Sequence, residues 1–318
     1  MMPSIILILA ASVLFYHLMK WACFYLTHPI KTFKTKSRKK NKHIILITGA
    51  VRGLGFEIAK VLLEKEGKYV HLVLVDRSTE RFEQATQELQ SLKIDSSSFE
   101  YISCDLSHKE ERTKLWIHVA KKHGRIHTLI NNAATARLKF FKDVSFDEYE
   151  SSVGVNALAY IHLTKLFLSQ QNVAFDSDSH IVNIISIIGC QGFSSVRNTD
   201  YVSTKQMIHG FMDTLRMELE HETSPVRMTS IYSYILGDTN MFYGLNSISN
   251  YIIPPLKAAD VAKRTYLAIK RKEEQVFIPS YISWFSVIIL ALPGKVRDVL
   301  LHVLMGRSMG NRKQKKED

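Results

Sequence analysis

Apolar and polar positions alternate in blocks along the middle of the chain. Ile44–Ile47 is an unbroken apolar run, the pattern of a strand buried on both faces. The stretch Thr48 to Gly55 follows, and Ile58, Ala59, Leu62 and Leu63 then recur at helical spacing. His71–Val75 predicts a second strand ending in Asp76, and Phe82–Leu92 predicts a helix. Tyr101–Ser103 runs into Cys104–Asp105–Leu106, and Leu115, Ile117 and Val119 fall in another helix. Thr128–Ile130 leads into Asn131–Asn132–Ala133–Ala134. A helix carrying Val155, Leu158, Ile161, Leu163 and Leu166 comes next. Ile181–Ile185 is strand-like. Met207, Ile208, Phe211, Met212, Leu215 and Leu219 form an apolar stripe behind Tyr201, and Val226–Tyr234 reads as a further strand. This alternation predicts an α/β fold, with a doubly wound parallel sheet covered by helices on both faces. The wording from Ser233 to Leu256 is irregular and predicts a lid or substrate loop.

Both ends are apolar in a different way. Residues Ile5 to Leu26 are mostly apolar, long enough for a membrane span or a deep interfacial anchor. A cleaved signal peptide is the rival reading. No basic residue precedes the apolar run, and no small-x-small site is evident before the basic cluster that follows. Tyr281 to Leu292 is a second apolar run, too short for an unaided span, and it is broken by Pro293–Gly294. Val296, Val299, Leu300, Val303 and Leu304 then make one stripe of a short helix. The expected organisation is an anchor over residues 1–30 and a basic linker over 31–42. An α/β domain over 43–280 and an apolar, amphipathic segment with a basic tail over 281–318 complete it.

With 318 residues, 46% of them apolar, the chain has ample material for one large α/β domain with added segments. The net charge of +12 is concentrated. One cluster holds Lys31, Lys34, Lys36, Arg38, Lys39, Lys40 and Lys42, and the tail holds Arg307, Arg312, Lys313, Lys315 and Lys316. These clusters flank apolar segments, so an anionic membrane surface explains their placement better than nucleic acid does. The basic residues after the first run predict that the domain faces the cytosol. Lys315–Lys316 resembles a receptor-read endoplasmic reticulum retrieval signal; the plain alternative is a solvated tail. The three cysteines, Cys23, Cys104 and Cys190, are far apart and odd in number. Neither a disulfide framework nor a metal spacing follows from them, and no metal is expected.

The candidate chemistry begins at Tyr201 and Lys205. Four positions apart on a helix, they share one face. A free tyrosine titrates too high to trade protons readily at neutral pH, and a nearby ammonium favours the phenolate. The glycines supply a second element. Gly49, Gly53 and Gly55 follow a strand and open a helix: the first for the turn, the second for backbone approach to a pyrophosphate, the third for close packing. A pyrophosphate then rests on the helix N-terminus. Asp76, about twenty residues on, is placed to accept hydrogen bonds from an adenosine ribose, which favours NAD. Arg52 and Arg77 argue the other way, since a guanidinium pairs with a 2′-phosphate. Asp105 fits an adenine contact, or equally a helix N-cap.

The ordered set Thr48–Gly49, Gly53, Gly55, Asp105, Asn131–Asn132–Ala133, Asn156, Ser186, Tyr201 and Lys205 resembles the classical short-chain dehydrogenase/reductases over roughly Lys42 to Pro279. The match is closer to a membrane-bound branch, the retinal reductases and 17β-hydroxysteroid-type dehydrogenases. That closer match rests on Thr239–Asn240–Met241–Phe242, Pro254–Pro255–Leu256–Lys257, Val261–Ala262–Lys263–Arg264–Thr265 and Phe277–Ile278–Pro279. The resemblance implies a Rossmann-like fold and NAD(P)(H), with a slight lean to NAD(H). Tyr201 is then the acid/base, Ser186 a donor to the substrate oxygen, Lys205 the group that lowers the tyrosine pKa and holds the nicotinamide ribose, and Asn156 the support of a relay water. Thr48, Gly49, Arg52, Gly53, Leu54, Gly55, Asp76, Arg77, Asp105, Leu106, Asn132, Ala133, Tyr201, Lys205 and Thr239 are the implied cofactor contacts.

The chain departs from the pattern in three places. Ser186 and Tyr201 are fifteen positions apart, two more than the pattern has, with Gln191 to Asn198 available to absorb the excess. Ala134 stands where the fourth residue of the Asn-Asn-Ala-Gly motif is glycine. Ser233–Tyr234 replaces a Pro-Gly, with one extra residue before Asp238. The expected protein is a membrane-bound oxidoreductase interconverting a lipophilic alcohol and its carbonyl, retinoid first and steroid second. It would sit at the endoplasmic reticulum or lipid droplets, with a homodimer left open. The alternative is a catalytically weak surface protein of the same membranes that keeps the fold for binding or recruitment.

Overall fold

A computed structural model describes residues 42–170, 175–176, 178–190, 193–239, 241 and 254–303. The expected N-terminal anchor, the linker up to residue 41, most of the 233–256 loop and the lysines of the tail lie outside the described residues. Seven parallel strands form one sheet in the order β3-β2-β1-β4-β5-β6-β7. They are β1 (His43–Thr48), β2 (Val70–Asp76), β3 (Phe99–Ser103), β4 (Thr128–Asn131), β5 (His180–Ile184), β6 (Arg227–Ser233) and β7 (Gln275–Ile278). The strand order reverses between β1 and β4, which opens a crevice at their carboxyl ends.

The helices are α1 (Gly53–Glu66), α2 (Glu80–Ser91), α3 (Lys109–His123), α4 (Phe146–Val153), α5 (Ala159–Leu168), α6 (Thr199–His221), α7 (Ala258–Arg271), α8 (Ile282–Ala291) and α9 (Gly294–Leu301). Successive side chains of a strand point to opposite faces, so each strand feeds two cores. Ile44 and Leu46 of β1 join one core with Trp116, Tyr160, Phe167, Ile208 and Met212. Ile45 and Ile47 join the other with Ile58, Leu62, Leu89 and Val261. This two-sided burial is why the strands read as unbroken apolar runs.

The structure departs from the sequence expectation at two points. The stripe from Val155 to Leu166 does not belong to one regular helix. The helical stretch starts earlier, at a capping box in which Ser145 accepts from the Glu148 N–H and Glu148 reaches back to the Ser145 N–H. It then passes through a π-helical turn at Gly154–Leu158 before α5. The second departure is an edge strand, β7, that pattern reading did not single out. At four residues, two of them partly buried, it is too short to show a period. Ile282, Ile289 and Leu301 bury in the first core, so one side of α8 and of α9 packs on the sheet domain.

Candidate active site

A cavity of about 670 Å³ lies at the switch point between the carboxyl ends of β1 and β4. It brings together residues from most of the expected motifs: Gly49 and Gly53, Asp76 and Arg77, Asp105, Asn132 and Ala133, and Ser186, Tyr201 and Lys205. Arg52, Leu54, Leu106 and Thr239 line it as well.

The glycine turn is built by close approach. Gly49 has φ +65°, and a Cβ there would stand 2.8 Å from Ala133 Cα. A Cβ on Gly55 would stand 2.2 Å from the Gly49 carbonyl oxygen, so α1 packs on the turn only because that side chain is absent. Thr48 and Asn132 hold the turn to β4. The Thr48 hydroxyl accepts from the N–H groups of Asn132 and Ala133 at 2.9 and 3.1 Å, and Asn132 Nδ2 donates to the carbonyls of Thr48 and Gly49. Thr48 is 1% exposed, and its hydroxyl serves the β4 loop in this way. The groove that remains lies at the N-terminus of α1, a setting suited to a pyrophosphate.

Asp105 has two readings, an adenine contact or a helix N-cap. It is not the N-cap of the next helix, a position held by His108. Its carboxylate instead closes the preceding turn, accepting from the N–H and hydroxyl of Ser107 at 2.9 and 2.7 Å. Partial burial opposes its charge, yet the two Ser107 hydrogen bonds hold the carboxyl below the usual range.

Tyr201, Ser186 and Lys205 meet although they come from two elements. Ser186 stands two residues beyond β5 and caps a 3₁₀ turn, Ile187–Gly189. A Cβ on Gly189 would lie 2.8 Å from the Lys205 carbonyl oxygen, so that glycine lets the turn lie directly on α6. The longer Ser–Tyr spacing thus leaves the contact intact. Asp200, buried ahead of Tyr201, fixes the start of α6 by accepting from the Ser152 hydroxyl at 2.8 Å and the Arg137 N–H at 3.3 Å. Asn156 sits in the π-helical turn with its side chain fully engaged. Its Oδ1 accepts from the Thr135 N–H, and its Nδ2 donates to the Thr135 carbonyl and the Thr204 hydroxyl. It ties the β4 loop to α6.

Lys205 is 1% exposed. Its ammonium donates to the Ile184 carbonyl at 2.9 Å and to the Tyr160 hydroxyl at 3.3 Å, and lies 5.7 Å from the Tyr201 ring centre. Burial brings it down to about 7. Burial pushes the Tyr201 hydroxyl up to about 12, against the pull of a Ser186 hydrogen bond. Desolvation, rather than the neighbouring lysine, decides the tyrosine's acidity in this structure. Tyr160 was not foreseen. Its hydroxyl, which burial holds well above the ordinary tyrosine range, donates to the same Ile184 carbonyl at 3.2 Å. In sequence it is one apolar position of a core helix, with nothing to mark it. Asn198 and Arg137 also line the cavity, and Asn198 Oδ1 and Arg137 Nε are buried without hydrogen-bond partners.

A family model described as short chain dehydrogenase matches residues 43–248. The chain belongs to the short-chain dehydrogenase family. It is an NAD(P)-dependent oxidoreductase. It is 28% identical over 244 residues to short-chain dehydrogenase/reductase 3 of Bos taurus, covering 77% of each chain. It is 25% identical over 277 residues to 17-beta-hydroxysteroid dehydrogenase 13 of Homo sapiens, covering 87% of this chain and 88% of that one. Among solved structures, a Burkholderia phymatum short chain dehydrogenase/reductase in complex with NAD superposes with TM-score 0.63 at 20% identity, over 84% of this chain and 97% of that one. A metagenomic short-chain oxidoreductase in complex with NADP gives 0.59 at 22%, over 74% and 96%. Both likenesses concern the fold.

The lysine's environment carries a stability prediction. Its folded value, about 7, lies below the unfolded value of 10.5, so the unfolded chain binds more protons between those limits and stability rises with pH there. Lys205→Met, which removes the buried ammonium, is expected to unfold at a higher temperature than the parent at pH 7. The gap should narrow as pH is raised toward 10. A gap that widens over that range would contradict the assignment.

Proposed function

We propose that this protein interconverts a lipophilic alcohol and its carbonyl at a membrane surface, with retinoid the first candidate substrate and steroid the second. The observation that carries the reading is the meeting of the Tyr201 and Ser186 hydroxyls beside a buried Lys205, in the cavity that the glycine turn opens onto. The bound dinucleotide would supply or accept the hydride. Tyr201 would give its proton to the carbonyl oxygen in reduction and take it back in oxidation. Burial keeps that phenol protonated near neutral pH, ready to donate. Ser186 would hold the same oxygen by a second hydrogen bond. Lys205 would stabilise the phenolate as the proton leaves and hold the ribose hydroxyls. Tyr160 and the Ile184 carbonyl would hold the lysine in place, and Asn156 would fix the backbone beside them.

Arg52, Gly53, Leu54, Asp76, Arg77, Asp105, Leu106, Asn132, Ala133 and Thr239 would hold the dinucleotide. Asp76 supports a preference for NAD(H), since a 2′-phosphate at the end of β2 would meet a carboxylate. Arg52, Arg77 and also Arg81 line the same cavity, and they favour the phosphorylated cofactor.

Supporting a lipophilic substrate, Val155, Ile187, Ile188 and Met241 line the cavity that Tyr201 shares. Supporting a membrane surface, α8 and α9 present Ile288, Leu290, Val296 and Val299 outward, each 45% exposed or more. No helix among the described residues is long and apolar enough to cross a membrane. Ten residues of α8 reach only about 15 Å. The relative that is a 17-beta-hydroxysteroid dehydrogenase supports steroid as a candidate substrate. Endoplasmic reticulum membrane or lipid droplets, with the domain on the cytosolic side, is the location this reading requires.

Membranes carrying the protein, offered retinoids, steroids and fatty alcohols with each cofactor, test the proposal. Tyr201→Phe is expected to lower turnover by at least about 100-fold with cofactor binding retained. No turnover by the parent chain on the whole panel would favour a binding or recruitment role. On the same panel kcat/KM is expected to be higher with NAD(H). A value at least about tenfold better with the phosphorylated cofactor, roughly 1.4 kcal/mol, reverses that assignment. Tyr160→Phe removes an acceptor from a desolvated ammonium. It is expected to lower kcat/KM at pH 7 and to move the alkaline limb of the pH profile to lower pH, without loss of cofactor affinity. A variant that loses stability and leaves the profile in place would make Tyr160 a packing residue only.

A further inference from the structure

Three side chains converge at the edge of the sheet, away from the cavity. His71 is the second residue of β2, Glu100 the second of β3, and His123 the last of α3. One ligand-capable atom of each lies within 4.8 Å of the other two. Nε2 of His123 is 2.5 Å from Glu100 Oε1, and Nε2 of His71 is 3.5 Å from the same oxygen. The two imidazole centres are 4.8 Å apart. His71 Nδ1 lies 3.1 Å from the Ser97 carbonyl oxygen, which can only accept. That nitrogen therefore carries the proton, and Nε2 keeps its lone pair. Nε2 is buried and has no hydrogen-bond partner. An imidazole held by a carbonyl on one side, with an open nitrogen facing a carboxylate and a second imidazole, has the orientation of a metal ligand.

We propose that His71, Glu100 and His123 bind one zinc ion, with water as the fourth ligand. Two imidazoles and one carboxylate suit zinc. Calcium and magnesium take oxygen ligands almost exclusively. Zinc bonds of about 2.0–2.2 Å place tetrahedral ligand atoms roughly 3.3 Å apart. His71 and Glu100 already have that separation. His123 and Glu100 would part by about 1 Å, exchanging a hydrogen bond for two metal bonds. Glu100 uses its other oxygen, Oε2, for the Lys122 ammonium. That lysine side chain is 52% exposed, so its charge can turn to water when the ion enters. His71 is five residues before Asp76 on an extended strand, about 17 Å at ~3.3 Å per residue. The ion would thus tie β2, β3 and α3 together at the sheet edge and take no part in hydride transfer. It would be independent of the activity proposed above.

The test uses the full-length protein, made without a polyhistidine tag, stripped with a chelator and titrated with zinc chloride. One bound zinc per chain is expected, with a melting temperature about 4–5 °C higher when zinc stands at about 100 times its Kd. Magnesium should do neither. His71→Ala and His123→Ala should each abolish the stoichiometric zinc and the shift, with cofactor-dependent turnover unchanged. His71→Gln, which keeps a donor for the Ser97 carbonyl, serves if the alanine variant does not fold. Cobalt in place of zinc should give the visible absorption of a tetrahedral site, lost in the same variants. Absence of stoichiometric zinc from the parent chain overturns the proposal, leaving an ion-paired His–Glu–Lys cluster. Equal zinc binding by the His71→Ala/His123→Ala double variant also overturns it and assigns the ion to other histidines.

Discussion

A lysine ammonium removed from water is the constraint on which the reacting end of this protein depends. An ammonium buried without partners is costly, and the chain answers with a carbonyl and a hydroxyl. The Ile184 carbonyl comes from the end of β5 and the Tyr160 hydroxyl from α5. For both to reach Lys205, α6 must run hard against the turn that leaves β5. Gly189 permits that approach, and the same approach brings Ser186 to Tyr201. The ion's partners and the hydroxyl pair are thus consequences of one packing contact.

The nucleotide half of the crevice rests on a different economy, that of backbone distance. Gly55 against Gly49, and Gly49 against Ala133, leave no space for side chains. The Thr48 hydroxyl and the Asn132 amide then pin the turn to β4. These contacts cross the point where the strand order reverses, so the opening between β1 and β4 is held at a set width. Asn156 does comparable work on the other side, linking the β4 loop to α6 through Thr135 and Thr204. Two clamps, one on each side of β4, position the two ends of a single cavity.

Much of this was legible in the order of residues. Strands buried on both faces announce themselves as apolar runs, so six of the seven strands and the helices between them follow from local pattern. Glycines after a strand, and a tyrosine and lysine one helical turn apart, are likewise local. They can be noticed without knowledge of distant neighbours, and the family resemblance rests on them. β7 stayed hidden because a four-residue edge strand carries too little pattern, and the π-helical turn at Asn156 because a helical stripe does not register one inserted residue.

What depended on folding is whatever joins segments far apart in the chain. Tyr160 becomes a partner of Lys205 only when α5 and α6 lie side by side. Thr48 turns toward β4, and Asp105 toward Ser107, because neighbouring strands and turns offer those partners. The tyrosine's acidity, expected from an adjacent lysine, is set by how completely both are buried. Burial is a property of the packed whole. His71, Glu100 and His123 make the same point, since their meeting is decided by the pairing of β2 with β3 and by where α3 ends. Linear order carries the periodicities and the short motifs; three-dimensional packing alone sets solvation and the company each side chain keeps.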